Sequence, residues 1–174
     1  MMIIFALAMS VAPFVGQNWE AGYYDRVKKA LRLANGFSLL WGLLAFVLLA
    51  SAAEQLVSLI NDDPGVVAAA SVYLIIVPVS IGFMGVMMTA TQSFNALGKP
   101  MPPLVMSILQ MLVIYLPLAL IGDYLWGYVG IYIAFAATSV LMGTLGFFWI
   151  NNVIKKELSR RRMVTTPGAG AIST

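Results

Sequence analysis

The sequence predicts an all-α, polytopic membrane protein with about five transmembrane helices. Hydrophobic residues make up 61% of the 174 residues, and charged residues make up only 10%. The mean hydropathy is +0.91. A water-soluble domain carries about 25% charged residues, so this chain has too few charges to cover a soluble surface. Lipid is therefore its favourable solvent.

The arrangement of the apolar residues distinguishes helices from a transmembrane barrel. Backbone amides in hydrocarbon must be bonded within the protein, which leaves helices and closed barrels as the possible structures. Barrel strands alternate apolar and polar residues over about ten positions. Residues 37–53 and 129–150 are long apolar runs with no such alternation, and they predict spanning helices.

The residue types that the sequence lacks exclude several functions. With no Cys and no His, thiol nucleophiles, thiolate metal sites and His-based proton relays are ruled out. We therefore expect no catalytic residue, no metal site and no enzyme activity. Nucleic acid is not an expected partner, because Lys and Arg are confined to short clusters beside the apolar runs.

The predicted helices follow the apolar runs and their stop signals. Residues 1–15 are fewer than the roughly 20 that a span needs, so we expect them to be the end of a helix that starts upstream. Residues 16–32 are expected to form a loop with one interfacial helical turn. An acidic N-cap before Pro64 should start the third span, and Pro78 should kink it. The predicted spans after the first run are 33–53 with an extension to Ile60, 64–98, 104–121 and 127–150.

Basic residues alternate between the connections that join these spans. The ten Lys and Arg residues fall as four, none, one, none and five over successive connections. The positive-inside rule then places the first, third and last connections in the cytoplasm. We predict an inner-membrane protein with a transmembrane region, 1–150, and a cytoplasmic basic tail, 151–174, disordered at its end. Because five helices put the start of the chain outside the cell, we expect further helices ahead of it.

Three motifs lie at predicted helix ends. The first, APFVGQNWEAG at 12–22, is followed by Asp25-Arg26-Val27, and the second leads from the acidic helix start at Asp62 to Tyr73. The third is SFNALG at 93–98. In this order and at this spacing the motifs resemble those of the MATE family, the multidrug and toxic compound extrusion transporters.

The resemblance implies a transporter of twelve helices in two six-helix lobes, in which this chain supplies part of helix eight and all of helices nine to twelve. In the first motif, glycines permit close helix approach, and the polar side chains can satisfy exposed backbone groups. These family markers are expected to form a structural turn. They are Gly16, Gln17, Asn18 and Gly22.

The third span has two distinct stripes when its residues are placed at about 100° intervals. Small residues form one stripe, which should let another helix approach closely: Ser71, Gly82, Gly85, Thr89 and Ser93. The opposite stripe holds the candidate substrate-cavity residues: Tyr73, Ser80, Met84, Met87, Thr91 and Asn95. Flexible methionines suit a wall that accepts ligands of different shapes, and the resemblance implies that this helix lines the central cavity. A methionine-rich packing face is the alternative.

Polar and helix-bending residues of the last two spans are expected to serve helix packing: Gln110, Tyr115, Pro117, Thr138, Ser139 and Thr144. No Asp or Glu lies inside a predicted span. Some branches of the MATE family carry an acid midway along the third span, where this sequence has Met84. We therefore expect no bound cofactor and a site for the coupling ion, Na⁺ or H⁺, outside this chain.

The resemblance implies secondary active efflux of amphipathic or cationic drugs and toxins by cation antiport. Its partners would be small-molecule substrates, the lipid bilayer and the missing N-terminal helices of the transporter. One alternative is a lipid-linked precursor flippase of the same superfamily, which would need a strongly cationic cavity, whereas no Lys or Arg lies inside a predicted span. The other alternative is a membrane scaffold that packs without transporting.

Overall fold

The computed structural model describes the backbone of residues 1–165 and the side chains of residues 1–159. The predicted disordered end of the tail, 166–174, lies outside the described residues. Within 1–165 the regular elements are all helical, which confirms the all-α prediction. They are α1 (Met2–Glu20), α2 (Tyr24–Ser51), α3 (Ala53–Ser58), α4 (Pro64–Ile76), α5 (Ile81–Ala96), α6 (Met101–Ile108), α7 (Leu116–Trp126) and α8 (Tyr128–Thr165).

Five helical segments of the described chain are long and apolar enough to cross a membrane. α1 and α2 are two of them, and α8 provides another through Ser159. The remaining two are composite: α4 and α5 join through a 3₁₀ turn, Val77–Ser80, and α6 and α7 join through a π-helix, Leu109–Tyr115. The predicted number of spans is therefore confirmed.

α5 lies at the centre of the bundle and packs against α1, α2 and α8. The part of the predicted small-residue stripe that lies on α5 is confirmed as a packing seam, because Thr89 and Ser93 are buried and a Cβ added to Gly82 would lie 3.0 Å from the Cα of Leu39. The aromatic side chain of Phe94 is fully buried in the same core. The seam fixes the rotation of α5 about its axis, so the opposite stripe, which holds Met84, Met87 and Thr91, faces away from α2.

The interruption predicted at Pro78 takes the form of the 3₁₀ turn. Proline has no N–H to donate and its ring displaces the carbonyl one turn earlier, so regular α-helical bonding cannot pass through it. The tighter turn is closed by the N–H of Ile81, which donates to the carbonyl of Pro78. The hydroxyl of Ser80 donates to the carbonyl of Val77 at 2.6 Å.

The π-helix of the fourth span was not predicted. The N–H of Leu116 donates to the carbonyl of Met111, five residues earlier, instead of to the residue four earlier. Pro117 follows directly, and its ring would collide with the carbonyl of Val113 in a regular α-helix. Widening the preceding turn relieves this collision. π-bulges of this kind are frequent at functional sites.

Glycines with positive φ end the two helices that approach the basic connections. Gly22 has φ of 79° and Gly98 has φ of 66°. After α1, Tyr23 donates to the carbonyl of Asn18 and Gly22 to that of Trp19; after α5, Lys99 donates to Phe94 and Gly98 to Asn95. Both patterns are Schellman caps, which require the left-handed conformation that glycine adopts at little cost.

The first predicted loop is wrong in its extent. The structure continues α1 through Gly16 to Glu20, and α2 begins at Tyr24, so only residues 21–23 connect them. The buried side chains of α1 are Ile4, Ala8, Val11, Val15 and Trp19, which recur at helical spacing. This helical spacing of buried residues, and not the polar residues of the motif, determines where α1 ends. The extension of the second span to Ile60 is also corrected, since α2 ends at Ser51 and α3 is a separate short helix.

Other helix ends also differ from the predictions. The fourth span begins at Met101, because two prolines are tolerated in the first helical turn, where their missing N–H groups are not needed. The span ends at Trp126. α8 extends past the predicted end of the last span to Thr165. The acidic start of the third span is confirmed: the carboxylate of Asp63 accepts from the N–H groups of Gly65 and Val66, at 2.8 and 3.2 Å.

The basic connections lie at one end of the bundle. A Cβ added to Gly16 would lie 3.5 Å from the carbonyl oxygen of Ala96, so the ends of α1 and α5 adjoin. Lys99 and Glu157 form an ion pair at 3.7 Å, which brings the end of α8 beside that of α5. The basic connections therefore lie on the same side of the bundle, as the alternation of Lys and Arg along the sequence predicts. The assignment of this side to the cytoplasm stays a prediction.

Candidate functional site

A cavity of about 250 Å³ lies between α5 and the fourth span. We call it the methionine cavity. Its α5 residues recur at spacings of three and four, so they share one face of the helix. The cavity is lined by Met84, Met87, Met88, Thr91, Gln92, Ser107 and Gln110.

A second cavity, of about 340 Å³, lies between the fourth span and α8. We call it the π-helix cavity, because three of its residues belong to the π-helix. It is lined by Ser107, Gln110, Met111, Tyr115, Phe135, Thr138 and Ser139. Ser107 and Gln110 line both cavities. The wide turn of the fourth span therefore places the Gln110 amide where it can reach a solute in either one.

The polar groups of the two cavities differ in how they are bonded. The hydroxyls of Ser107 and Ser139 donate to the carbonyls of Pro103 and Phe135, at 3.0 and 2.9 Å. The amide of Gln92 donates to the sulfur of Met9 on α1 at 3.3 Å. Thr138 is 1% exposed, and its hydroxyl has no hydrogen-bond partner among the described residues. A buried hydroxyl of this kind gains free energy from any ligand that bonds to it.

The lining of both cavities is neutral. Among the described residues that line them, none is charged. Their chemistry consists of thioethers, amides, hydroxyls and two aromatic rings, Tyr115 and Phe135, whose centroids are 6.0 Å apart. Such surfaces bind solutes by dispersion and hydrogen bonding.

The structure brings three of the six predicted cavity residues together. Met84, Met87 and Thr91 line the methionine cavity. Ser80 is fully buried behind it, with its hydroxyl 4.0 Å from the sulfur of Met84. Tyr73 is 45% exposed near the opposite end of the span, where its ring meets the edge of Tyr132.

Asn95 is exposed one turn beyond Thr91 and does not line either cavity. Its role in substrate binding, like that of Tyr73 and Ser80, stays a prediction. Sequence reasoning missed five lining residues, Met88, Gln92, Ser107, Met111 and Phe135, and it assigned four others to helix packing: Gln110, Tyr115, Thr138 and Ser139. Gln110 carried a usable signal, because an amide in the middle of an apolar span is costly and tends to be functional.

The motif residues of α1 make contacts within their own neighbourhood. The amide of Asn18 donates to the carbonyl of Phe14 at 2.9 Å. Gln17 is exposed, and Gly16 packs beside Ala96 of α5. Trp19 and Tyr24 meet across the turn at Gly22, with ring centroids 4.9 Å apart. These contacts hold the C-terminal end of α1 against α5 and fix the turn that connects α1 to α2.

The apolar helices and the neutral cavities between them define a multi-pass membrane protein with sites of solute size. Residues 1–121 match the MatE family model. The chain belongs to this family, the MATE transporters, as the three sequence motifs predicted.

Individual relatives agree with this assignment. A protein of Shewanella oneidensis named FAD transporter is 34% identical over 148 residues, which are 85% of this chain and 33% of that protein. The Vibrio cholerae MATE transporter VcmN in its bent form matches with a TM-score of 0.83 and 27% identity, over 88% of this chain and 35% of that one. An inward-facing multidrug resistance MATE family transporter of the MOP superfamily shares the fold, with a TM-score of 0.80 and 18% identity over 88% of this chain and 36% of that one. The chain thus spans about a third of the length of these relatives.

Proposed function

We propose that this chain forms the C-terminal part of a secondary active transporter that exports amphipathic or cationic small molecules in exchange for Na⁺ or H⁺. Transport would proceed by alternating access, with upstream helices of the same transporter forming the other side of the pathway. The observation that carries the proposal is the neutral, methionine-lined cavity beside the π-helix. The inner membrane and a cytoplasmic C-terminus belong to the same proposal.

The cavity lining favours amphipathic solutes. Thioether side chains are flexible and polarisable, so Met84, Met87 and Met88 can repack around rings of different shape. The amide of Gln110 and the hydroxyl of Thr138 supply a few directional contacts. An organic cation would gain further attraction from the faces of Tyr115 and Phe135, which need no carboxylate to hold it.

A flavin dinucleotide is the second candidate solute, because the Shewanella relative is named FAD transporter. Methionine sulfur packs well against aromatic rings, and the Gln92 and Gln110 amides can bond to the polar edge of a flavin. The two phosphates of the dinucleotide need cations, however, and the described lining of both cavities contains none. Export of FAD would therefore require Lys or Arg from other helices of the transporter.

The coupling ion would bind outside the two cavities. Hard cations such as Na⁺ prefer oxygen ligands, and proton coupling requires a titratable group. The described lining of the cavities offers neutral hydroxyl and amide oxygens but no carboxylate, so it lacks the negative charge that would offset the dehydration of Na⁺. We propose that the coupling site is formed by helices beyond this chain.

Efflux from cells that produce the complete transporter tests the proposed function. Retained ethidium and exported FAD would be measured together, with and without an imposed Na⁺ or proton gradient. We expect gradient-dependent efflux of at least one solute. Absence of transport for both, with folded protein present in the membrane, would favour the scaffold alternative.

Gln110→Leu tests whether the cavities carry the solute. Loss of one hydrogen bond should change the ratio of ethidium to FAD efflux by about fivefold. Gln55→Leu, at an exposed position of α3 outside both cavities, is the matched control and should leave the ratio unchanged. A uniform loss of both activities in step with membrane abundance would assign Gln110 to helix packing instead.

A further inference from the structure

A third cavity, of about 370 Å³, lies at the basic end of the bundle between the start of α2 and the end of α8. We call it the basic cavity. It shares no lining residue with the methionine or π-helix cavities. Its polar lining consists of Lys28, Arg32, Asn35, Asn151, Asn152 and Lys155.

The electrostatics of the basic cavity favour an anion. Three cationic side chains line it, and no carboxylate does so among the described residues. Glu157, the acid nearest in sequence to Lys155, forms an ion pair with Lys99 at 3.7 Å. The positive charge of the cavity is therefore not neutralised by its own lining. Basic pockets between transmembrane helices are typical binding sites for acidic lipid head groups.

Asn35 provides an independent indication of a ligand. The residue is 6% exposed, and its Oδ1 accepts no hydrogen bond from the described residues. An unpaired carbonyl oxygen buried in this way is costly to the fold. A phosphate group cannot satisfy it, because phosphate oxygens are acceptors, whereas a hydroxyl donor on the ligand can. The ligand should therefore combine a phosphate with hydroxyl groups.

An apolar cleft lies further along α2, on the face of the helix that also lines the basic cavity. It measures about 240 Å³, and its walls include Leu39, Leu43 and Phe46 on α2 and Val79 and Phe83 opposite them. Asn35, Leu39, Leu43 and Phe46 recur at helical spacing, so the cleft follows the same face of α2. From Leu39 to Phe46 it extends about 10 Å toward the centre of the membrane at 1.5 Å per residue.

We propose that the basic cavity and the apolar cleft together bind an anionic phospholipid whose head group carries hydroxyls, with the chemistry of phosphatidylglycerol. Lys28, Arg32 and Lys155 bind the phosphate, and a glycerol hydroxyl donates to Asn35. One acyl chain lies in the cleft beside Leu39 and Phe83. The lipid bridges α2 and α8 on the side of α5 that faces away from the methionine cavity.

The chain offers a matched pair of variants for testing this site. All four lysines are exposed, but Lys28 and Lys155 line the cavity and their sequence neighbours Lys29 and Lys156 do not. The double variant Lys28→Gln with Lys155→Gln and the double variant Lys29→Gln with Lys156→Gln lose the same charge. If the lipid is held only by general attraction to positive charge, both double variants should lose the same affinity for it. If it binds in the basic cavity, only the first double variant should lose affinity.

Native mass spectrometry of the full chain in neutral detergent, titrated with phosphatidylglycerol, measures the binding. We expect the first double variant to lose about thirtyfold in lipid affinity and the control pair to retain the parent affinity within about twofold. Phosphatidylcholine should bind both equally weakly. If the first double variant fails to elute as a folded species, Lys28→Gln and Lys29→Gln are compared singly. Equal loss in the matched variants would overturn the proposal.

Two further arms identify the ligand chemistry. Asn35→Leu should lower the preference for phosphatidylglycerol over phosphatidic acid, which lacks the glycerol hydroxyls. Free glycerol phosphate at the lipid concentration should not displace the bound phospholipid, because it has no acyl chain for the cleft. Full displacement by glycerol phosphate would show a soluble-phosphate site and would contradict the lipid assignment.

Discussion

Ser38 of α2 lies directly against Gly85 of α5. A Cβ added to this glycine would be 2.8 Å from both the Cβ and the Oγ of Ser38. Ile4 of α1 approaches the same position at 2.8 Å, so three helices meet at one glycine. This contact holds α5 at the rotation that presents Met84 and Met87 to the methionine cavity.

Gly85→Ala should destabilise the bundle by about 1–3 kcal/mol, because the added methyl overpacks the three-helix contact. Gly36→Ala is the control, since Gly36 lies on the exposed side of α2 with no atom within 4 Å of an added Cβ. The control should be neutral or slightly stabilising. Thermal unfolding of the purified chain, followed by circular dichroism, measures both. Equal midpoints for the two variants would contradict the close approach.

Thr138→Val should leave the fold intact or stabilise it by up to about 1 kcal/mol, because it replaces an unpaired buried hydroxyl with a methyl group of similar shape. The same change should raise the KM of a solute that bonds to this hydroxyl by about fivefold with kcat little affected. Thermal unfolding and transport kinetics of the complete transporter separate the two effects. A clear loss of stability would mean that the hydroxyl has a structural partner.

Cysteine labelling tests the orientation of the bundle. The chain contains no Cys, so Asp62→Cys and Lys99→Cys each introduce a single thiol. The thiol at position 62 should react with a membrane-impermeant maleimide in intact cells, and the thiol at position 99 should react only after permeabilisation. Labelling of the thiol at position 99 in intact cells, with none at position 62, would reverse the assignment.

Local signals made much of the fold predictable. The acidic residues before Pro64 specify a helix start, and Gly98 specifies a helix end, because the bonds that satisfy a terminus come from adjacent residues. The small-residue stripe through Gly85 could also be predicted, since helical spacing places such residues on one face. The end of α1 differs from the prediction because polar residues of the motif are typical of a loop, whereas the helical spacing of buried side chains continues to Trp19.

The shape of the candidate site depends on neighbours that sequence patterns do not reveal. The π-helix arises where Pro117 distorts the turn before it, and its consequence is that Gln110 borders two cavities. An amide within a span either packs against a neighbouring helix or lines a cavity, and the position of the neighbouring helices determines which. For the same reason Asn95 shares a stripe with Met87 and Thr91 in sequence but lies outside the cavity in the structure.

Protection of a single thiol by solute tests most directly the claim that the methionine cavity carries the transported molecule. Met87→Cys in the complete transporter, otherwise free of Cys, would be alkylated by a small water-soluble maleimide with and without a saturating transported solute. Lys29→Cys, exposed at the basic end and outside the cavity, is the control. We predict that the solute slows labelling at position 87 by about tenfold, because it occupies the space beside that side chain, and leaves labelling at position 29 unchanged. Equal labelling rates at position 87 in the presence and absence of a solute that is demonstrably transported would contradict the claim.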